Sequence, residues 1–463
     1  MIKIPDIVGK KFAVLGLGKS GLAAAASLKA SGAEFIVWDD KEQAREKAVS
    51  AGYKVVNPVD ISLSGYEAVI MSPGIPFTHP EPHPIVAKCR ATGIQIVSEV
   101  DMMLRACPDA TYIGITGTNG KSTTTALIHH ILSNAGRKAQ VGGNFGTPSL
   151  ALKPLEADGF YVIEQSSFQL DLLKENPFEI AVLLNITPDH FDRHGGMRGY
   201  INSKSKIIRA KKKQTLIIGT DEPETLELAN KARKQKNLKV EEISIQHDVV
   251  NGVLYKDQKL FACADGKRSQ LLDITSIKRL PGSHNAQNAC AAYAACKAVG
   301  LTDAEIVSGL RSFPGLAHRQ QVIAEIGGVR FINDSKATNA DAAGKALACY
   351  NNIYWILGGK PKAGGLNGLE KFMPRISHAF LIGAAAEEFG KWLDGKTSYT
   401  HSKTLDAALK GAAEMAWAEK KLDSVVLLSP ACASFDQFSG FEERGEVFAS
   451  LVRDIISSRE IKQ

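Results

Sequence analysis

The run TYIGITGTNGKSTTTALIHHILSNAG (residues 111–136) decides the fold class. An apolar β-type stretch leads into a glycine loop, and a helical stretch follows it. In the loop Gly117-Thr118-Asn119-Gly120-Lys121-Ser122-Thr123, glycines let backbone amides wrap phosphate oxygens, Lys121 supplies positive charge and Ser122 is placed to ligate Mg²⁺. The loop departs from the strict GxxxxGK[ST] pattern, because Ile115 stands where the first glycine belongs and Gly114 and Gly117 flank it. The shorter GxxGKS is a weaker signal alone, and an ordinary glycine turn capped by Ser and Thr is the plain alternative. The strand before it and the helix after it favour a phosphate loop.

Working outward, the same strand–loop–helix rhythm runs in both directions. Upstream, KFAVLG (residues 11–16), EFIVWDD (34–40) and YEAVIMSPG (66–74) read as strands, with the Ala-rich LAAAASLKASG as a helix between the first two. Downstream, FYVIEQ, IAVLLNIT and QTLIIGT follow the loop, and VRFINDS, NIYWILGG, HAFLIG and SVVLLSP repeat the pattern towards the C-terminus. This alternation predicts an α/β protein of three domains, each a mainly parallel sheet flanked by helices: Rossmann-like first and last units around a phosphate-loop ATPase-like centre. The expected bounds are residues 1–98, 99–315 and 316–463. The strand pattern pauses at SEVDMMLRACPDA (residues 98–110), the helical PGSHNAQNACAAYAACKAVG (281–300) closes the second unit, and FPGLAHRQQ (313–321) reads as a linker. The lysine-rich RAKKKQ (residues 209–214) and NKARKQKNLK (230–239) read as solvated helix faces, and SSREIKQ as a solvated end.

Length and composition agree. A chain of 463 residues with 44% hydrophobic and 23% charged residues suits about three globular domains and excludes wholesale disorder. A net charge of +7 is too mild to argue for nucleic acid, yet it suits small anionic ligands. No apolar run approaches the roughly 20 residues of a spanning helix, and the N-terminus lacks the apolar region and cleavage site of a signal peptide. The seven scattered cysteines, without a CxxC, read as reduced thiols of a cytoplasmic protein and form neither a disulfide framework nor a zinc site.

Further motifs carry chemistry. Gly16-Leu17-Gly18-Lys19-Ser20-Gly21 satisfies GxGxxG between a strand and a helix, and Asp39 and Asp40 end the next strand, where an acid can bond a ribose hydroxyl. A dinucleotide, another nucleotide-containing ligand and tight packing all remain open for it. Glu164 and the cluster Asp189-His190-Phe191-Asp192-Arg193-His194 lie just past predicted strand ends, where a carboxylate and an imidazole can hold metal ions bridging phosphates. Lys336 in NDSKATN (residues 333–339) can neutralise a transferring phosphoryl group and Ser434 in SPACASFDQF can bind a carboxylate, with a plain loop lysine and a helix-cap serine as the open alternatives.

Taken in order, these pieces resemble the Mur ligases of bacterial cell-wall synthesis. GITGTNGKSTTT is shared with related amino-acid and folylpolyglutamate ligases, whereas SSFQL, NITPDHFDRH, GSHNAQNA, DSKATN and SPACASFDQF together point to the D-glutamate-adding branch. The resemblance runs from Gly16 to Gly445. It implies that ATP phosphorylates the carboxylate of UDP-N-acetylmuramoyl-L-alanine, that the D-glutamate amine attacks the acyl phosphate, and that a tetrahedral intermediate expels phosphate, in peptidoglycan precursor synthesis and hence in cell shape and division. It implies Lys19, Ser20, Asp40, Lys41 and Gly74 as contacts to the UDP end, and Asn144, Ser166 and Gln169 facing the muramoyl-alanine portion. Gly117 to Thr123, Asn288 and Arg319 would hold ATP, with Asp334 and Lys336 completing that site when the domains close. Thr338, Lys362, Ser434 and Phe441 would hold D-glutamate. Ser122, Glu164 and His190 match the family's ligands for Mg²⁺, two ions being expected, and Lys204 in GYINSKSKII is the best match to a carbamylated lysine, with Lys206 two residues on. Lys121, Lys204, His190 and Lys336 would then be catalytic. Lys360 and Lys362 both reach for a carboxylate in GGKPKAGG, and alignment with the family loop favours Lys362. A monomer with small-molecule partners alone, neither nucleic acid nor membrane, is expected. Two rivals stand beside this reading: an NAD-dependent oxidoreductase, which leaves the phosphate loop and last domain unexplained, and a nucleotide-regulated binding protein without turnover.

Overall fold

Short runs of β-branched and aromatic residues, each ended by glycine, proline or a polar turn, form the strands. KFAVL, EFIVW and YEAVIM become β1 (Lys11–Leu15), β2 (Glu34–Trp38) and β3 (Tyr66–Met71), and with β4 (Gln95–Val97) they make a parallel sheet in the order β2-β1-β3-β4. The order reverses between β1 and β3, so the loops after these two strands flank a crevice at the carboxyl edge. Ser72, after β3, donates to the Gly16 carbonyl at 2.8 Å and ties the two loops together. The structure, a computed structural model, describes residues 1–208, 213–277, 279–362 and 364–460, with side chains through Ser457.

The second sheet has nine strands. β5 (Thr111–Thr116), β6 (Lys138–Gly143), β7 (Gly159–Glu164), β8 (Ile180–Leu183), β9 (Gln214–Gly219), β10 (Leu238–Ser244) and β11 (Gly252–Lys256) are parallel in the order β6-β7-β5-β8-β9-β10-β11. β12 (Lys259–Ala264) and β13 (Lys267–Asp273) then extend the edge as an antiparallel meander. The switch lies between β5 and β8, so the phosphate loop after β5 and the NITPDH segment after β8 sit side by side. The first two sheets share a continuous apolar core, in which Phe12, Val14 and Leu28 join Tyr112, Tyr161 and Leu183. Together they form one compact body, Met1–Ser276 with Asn285–Phe313.

The other body comprises Ile277–His284 and the chain from Pro314 onward. Its sheet has the order β14-β15-β19-β16-β17-β18, from β14 (Gln321–Ile326), β15 (Val329–Asn333), β16 (Ile353–Gly358), β17 (Ile376–Ile382), β18 (Tyr399–Lys403) and β19 (Ser424–Leu428). β14 runs antiparallel to β15, and the other neighbours in the sheet pair in parallel. With β19 between β15 and β16, the loops after these three strands adjoin at one edge. Helices Ala340–Leu347 and Leu405–Glu419 contribute to separate apolar cores, one including Trp355 and the other Tyr354, as expected of a sheet whose strand residues alternate in facing.

The α/β class with mainly parallel sheets is as read from the sequence, and three details differ. The helix Ser283–Ala298 does not close the second unit, because Asp303–Ser312 follows with its own capping box, in which Thr302 and Glu305 satisfy each other's backbone amides at the helix start. NKARKQKNLK is largely exposed but helical only through Ala232; its last residues open β10. The meander β11–β13 had no counterpart among the expected strands, since its polar residues face solvent at a sheet edge. Residues 209–212 of RAKKKQ and 461–463 of the tail lie outside the described residues. All seven cysteines are unpaired thiols. No described helix is long and apolar enough to cross a membrane.

Candidate active site

The phosphate loop is built around one glycine that accepts no substitute. Gly120 caps the helix Lys121–Asn134 at φ +84°, and a Cβ there would come within 2.3 Å of Asn288 Oδ1. Asn288 is itself buried: its Oδ1 accepts from Thr124 Oγ1 at 3.2 Å and its Nδ2 donates to Asn285 Oδ1 at 3.1 Å. Sequence distance therefore hides a direct contact between the expected nucleotide residue and the loop. Asn185, after β8, braces the other side, its carbonyl accepting from Thr118 N and its Oδ1 from Asn119 N, both at 2.9 Å. Its Nδ2 donates to Gln287, which bonds Asp221, a buried amide relay absent from the sequence reading. The first turn of the helix carries no acidic residue, so its positive end is left available to an anion.

Two lysines meet on this loop. Lys121 Nζ donates to the Gly117 and Thr118 carbonyls at 2.9 and 2.8 Å, and Lys204 Nζ donates to the same Gly117 carbonyl at 2.8 Å. Lys204 is 1% exposed on the helix Met197–Ser205, with its ammonium 4.7 Å from the centre of the Tyr200 ring one turn away. Burial, reinforced by Lys121, pushes its pKa well below the usual lysine value, although Asp189 and Glu164 oppose the shift. Lys206 points elsewhere, to Asp171 at 2.8 Å. Asp171 also faces His194 Nδ1 at 3.3 Å, and His194 Nε2 bonds Ser167 Oγ at 2.9 Å. Although burial raises the Asp171 carboxyl, His194 and Lys206 together hold it below its ordinary pKa.

Glu164 ends β7 and is 2% exposed; its Oε1 accepts from Asn144 Nδ2 at 2.7 Å, and its Oε2 is buried without a partner among the described residues. His190 follows β8 in a left-handed conformation, edge-on to Phe168 with ring centres 5.0 Å apart. Burial lowers its pKa, with Asp189 opposing and Lys204 and Lys121 assisting. Ser122 is buried in the first helical turn, with Thr123 beside it half-exposed. By chemical type, an orphaned carboxylate oxygen, a hydroxyl and an imidazole suit a hard divalent cation. No three His, Cys, Asp or Glu side chains converge among the described residues, so the protein alone offers few anionic ligands.

Near the first sheet, Lys19 and Ser20 open the helix Lys19–Ala30, Asp40 and Lys41 follow β2, and Gly74 follows β3. Asp39 bonds the Leu17 amide at 2.6 Å, occupying a backbone N–H that a pyrophosphate would use, and Gly21 packs so closely that a Cβ would meet the Gly16 carbonyl at 1.8 Å. Here Gly21 serves close packing and Asp39 fixes the loop at Leu17, while the helix start itself carries no side-chain cap. Asp40 remains exposed, with His83 Nε2 at 3.4 Å. Ser166 and Gln169 form the capping box of the helix Ser167–Leu172, so each already has a structural partner. Gln169 also lines a pocket with Ser20, Ser72, Glu99 and Gln165. Glu99 is pushed up to about 7 by burial, opposed by bonds from Leu150, Ser20 and Ser149, and its Oε2 is unpartnered among the described residues.

In the second body, Asp334, Lys336 and Thr338 follow β15, Lys360 and Lys362 follow β16, and Ser434 and Phe441 follow β19. Lys336 Nζ lies 3.9 Å from the Phe441 ring centre. Asp334 accepts from Ser429 Oγ at 2.8 Å and Gln320 N at 3.1 Å; burial raises it to about 7, with those bonds and Arg319 opposing. Ser434 is buried, Thr338 half-buried and Lys362 exposed.

Comparison with known proteins shows the family. Residues 115–296 match the model of the Mur ligase middle domain, and residues 10–98 that of the Mur ligase MurD-like N-terminal domain. A UDP-N-acetylmuramoylalanine–D-glutamate ligase of Paramagnetospirillum magneticum is 45% identical over 454 residues, covering 98% of both chains. The chain belongs to the Mur ligase family. Its counterpart of the same name in Caulobacter sp. strain K31 is 46% identical over 463 residues, again covering 98% of each. Among solved Mur ligases, UDP-N-acetylmuramate-alanine ligase MurC of Thermotoga maritima superposes with a TM-score of 0.58 at 17% identity, over 97% of this chain and 99% of that one, which supports the shared fold.

Proposed function

We propose that this Mur ligase joins D-glutamate to UDP-N-acetylmuramoyl-L-alanine at the expense of ATP, as a cytoplasmic monomer in peptidoglycan synthesis. The observation that carries the reading is 45% identity along nearly the whole chain to ligases named for that reaction. The proposed division of labour is residues 1–98 for the UDP end, 99–315 for ATP and 316–463 for D-glutamate, each sheet falling within one span. Lys19, Ser20, Asp40, Lys41 and Gly74 serve the UDP end, and Asn144, Ser166 and Gln169 the muramoyl-alanine portion.

In the first step a carboxylate oxygen of the substrate attacks the γ-phosphorus and the bond to ADP breaks, leaving an acyl phosphate. Gly117 to Thr123 cradle the phosphates, and Lys121 exchanges backbone carbonyls for phosphate oxygens as charge builds on them. Asn288, Arg319, Asp334 and Lys336 are the further residues proposed for the nucleotide, with Lys336 neutralising the transferring group. The neutral amine of D-glutamate, having lost its ammonium proton to solvent, then attacks the carbonyl carbon, and the tetrahedral intermediate gives up a second amine proton as its bond to phosphate breaks, leaving the amide and hydrogen phosphate. Lys362, Thr338 and Ser434 pair the carboxylates of D-glutamate, and Phe441 packs its methylenes. Ser122, Glu164, His190 and a carbamylated Lys204 are the proposed holders of Mg²⁺, which supplies charge neutralisation at the phosphates when bound. Support for Lys204 over Lys206 is its burial against the phosphate loop, whereas Lys206 is engaged by Asp171. Carbamylation would convert that amine into an oxygen donor and add the anionic ligand that the site lacks.

The test is phosphate release from ATP across a panel of UDP-muramoyl acceptors and amino acids. Release requiring both UDP-N-acetylmuramoyl-L-alanine and D-glutamate is expected. Preference for L-glutamate or a diamino acid, or release without an acceptor, would reject the reading.

A further inference from the structure

One fully buried charge in the second body plays no part in the catalytic scheme. Arg444 lies in the first turn of the helix Phe441–Glu460 and is 0% exposed. Its Nε donates to Ser335 Oγ at 3.0 Å, and its Nη2 donates to the Ser335 and Cys432 carbonyls at 2.8 and 3.1 Å. Nη1 is buried without a partner among the described residues and faces Gly359, where an added Cβ would stand 3.2 Å away. Ser335 belongs to the loop after β15, Gly359 to that after β16, and Cys432 to that after β19. Arg444 thus sits where the three loops carrying Thr338, Lys362 and Ser434 come together, one turn along its helix from Phe441.

Each of these bonds is to a neutral oxygen. A buried guanidinium is costly unless an anion offsets it. Nearby Cys432 is pushed up to about 12 by burial despite Arg444 and Lys362, and so remains a neutral thiol. Asp436 acts on Arg444 across space, its Oδ2 accepting from the Ala384 amide at 2.9 Å, and Asp436 and Glu388 both act on the adjoining Cys432, but no hydrogen bond joins either carboxylate to the guanidinium among the described residues. Burial lowers Arg444 only to about 10, so it stays charged at neutral pH. No carboxylate among the described residues bonds the guanidinium, so its positive charge is offset only at a distance while it lies buried among the three loops.

We propose that Arg444 is a positioning residue that sets the charge selectivity of the amino-acid site: it locks the three loops together and, through its buried charge, favours an acceptor bearing a second carboxylate over a neutral one of equal size. The proposal rests on D-glutamate being the acceptor and on those loops holding it. It assigns Arg444 no contact with substrate, since its free nitrogen is itself buried.

The test compares steady-state kinetics of the full chain with D-glutamate and with D-glutamine, which replaces the side-chain carboxylate by a neutral amide. Arg444→Met should lower kcat/KM for D-glutamate relative to D-glutamine by about tenfold or more, the scale of a charge-assisted contact. The loss should lie chiefly in KM for D-glutamate, leaving ATP KM within about twofold of wild type. Arg444→Lys, which keeps the charge but not the fork, should preserve the selectivity ratio within about threefold. An equal fall for both acceptors in Arg444→Met would reduce Arg444 to a structural residue and overturn the proposal. If the Met variant shows no cooperative melt, the Lys variant decides alone: a retained ratio with reduced absolute activity supports it, and a lost ratio overturns it. A wild type inactive with D-glutamate would instead refute the proposed function, which separates the two failures.

Discussion

Replacing Gly120 by alanine tests the architecture of the phosphate loop with a single methyl group. Two costs add. A non-glycine residue in the left-handed region loses roughly 1–2 kcal/mol. The new Cβ would also stand 2.3 Å from Asn288 Oδ1, so the amide must retreat by about 1 Å to reach ordinary contact. That retreat breaks the Thr124–Asn288 and Asn288–Asn285 hydrogen bonds, each worth about 0.5–1.5 kcal/mol. Summed, Gly120→Ala should destabilise the first body by about 2–5 kcal/mol, read by thermal or denaturant melting, and should weaken ATP binding measured by direct titration. Asn288→Ala removes the clash while leaving the backbone cost. The double variant should therefore be more stable than the sum of the singles predicts, by about 1 kcal/mol or more. A Gly120→Ala protein with wild-type melting and ATP affinity, or strict additivity in the double variant, would refute the reasoning.

Other outcomes follow from the same geometry. Lys121→Ala should leave a folded protein that has lost at least a hundredfold in turnover, on the order of 3 kcal/mol of transition-state charge stabilisation, checked by ATP-dependent phosphate release. With ¹³C-labelled CO₂, a carbamate NMR signal should vanish in Lys204→Ala and persist in Lys206→Ala; Lys204→Ala should regain part of its activity with added short carboxylates, and the opposite pattern would reassign the modification. Glu99 binds its proton more tightly folded, at about 7, than unfolded, near 4, so the native state holds the extra proton and wild-type stability falls as pH rises from about 4 to 7. Glu99→Gln should flatten that fall, gaining on the order of 3 kcal/mol over wild type between pH 5 and pH 8 in denaturant melts, and parallel pH profiles would dismiss the assignment.

The strands that matter were legible because they are uninterrupted apolar runs buried on both faces, such as IYWILG (Ile353–Gly358) and SVVLL (Ser424–Leu428). KRSQLLD, which forms β13, pairs at an edge with its charged residues in solvent, and its sequence resembles a loop. Lys121 and Ser122 were readable because a phosphate loop is local. The Asn185–Gln287 bond joins residues 102 apart, and nothing in either neighbourhood signals it. Arg444 sits between Glu443 and Gly445, where nothing local signals burial, and only the three converging loops make it a core residue. Ser166 and Gln169 show the reverse case, for S-x-x-Q is itself a capping signature and their mutual bond follows from spacing.

The Asp39 carboxylate on the Leu17 amide has a bearing on inhibitor chemistry. A compound built to set a pyrophosphate mimic on that one amide would meet a carboxylate of the protein there, and like charges would repel it, whereas the pyrophosphate of the UDP end has Lys19, Ser20 and the start of their helix beyond it. Ligands that leave that position alone and reach past it, towards the exposed Asp40 and its neighbour His83, would avoid the repulsion. Such compounds would discriminate between this enzyme and oxidoreductases whose glycine loops remain open to a dinucleotide.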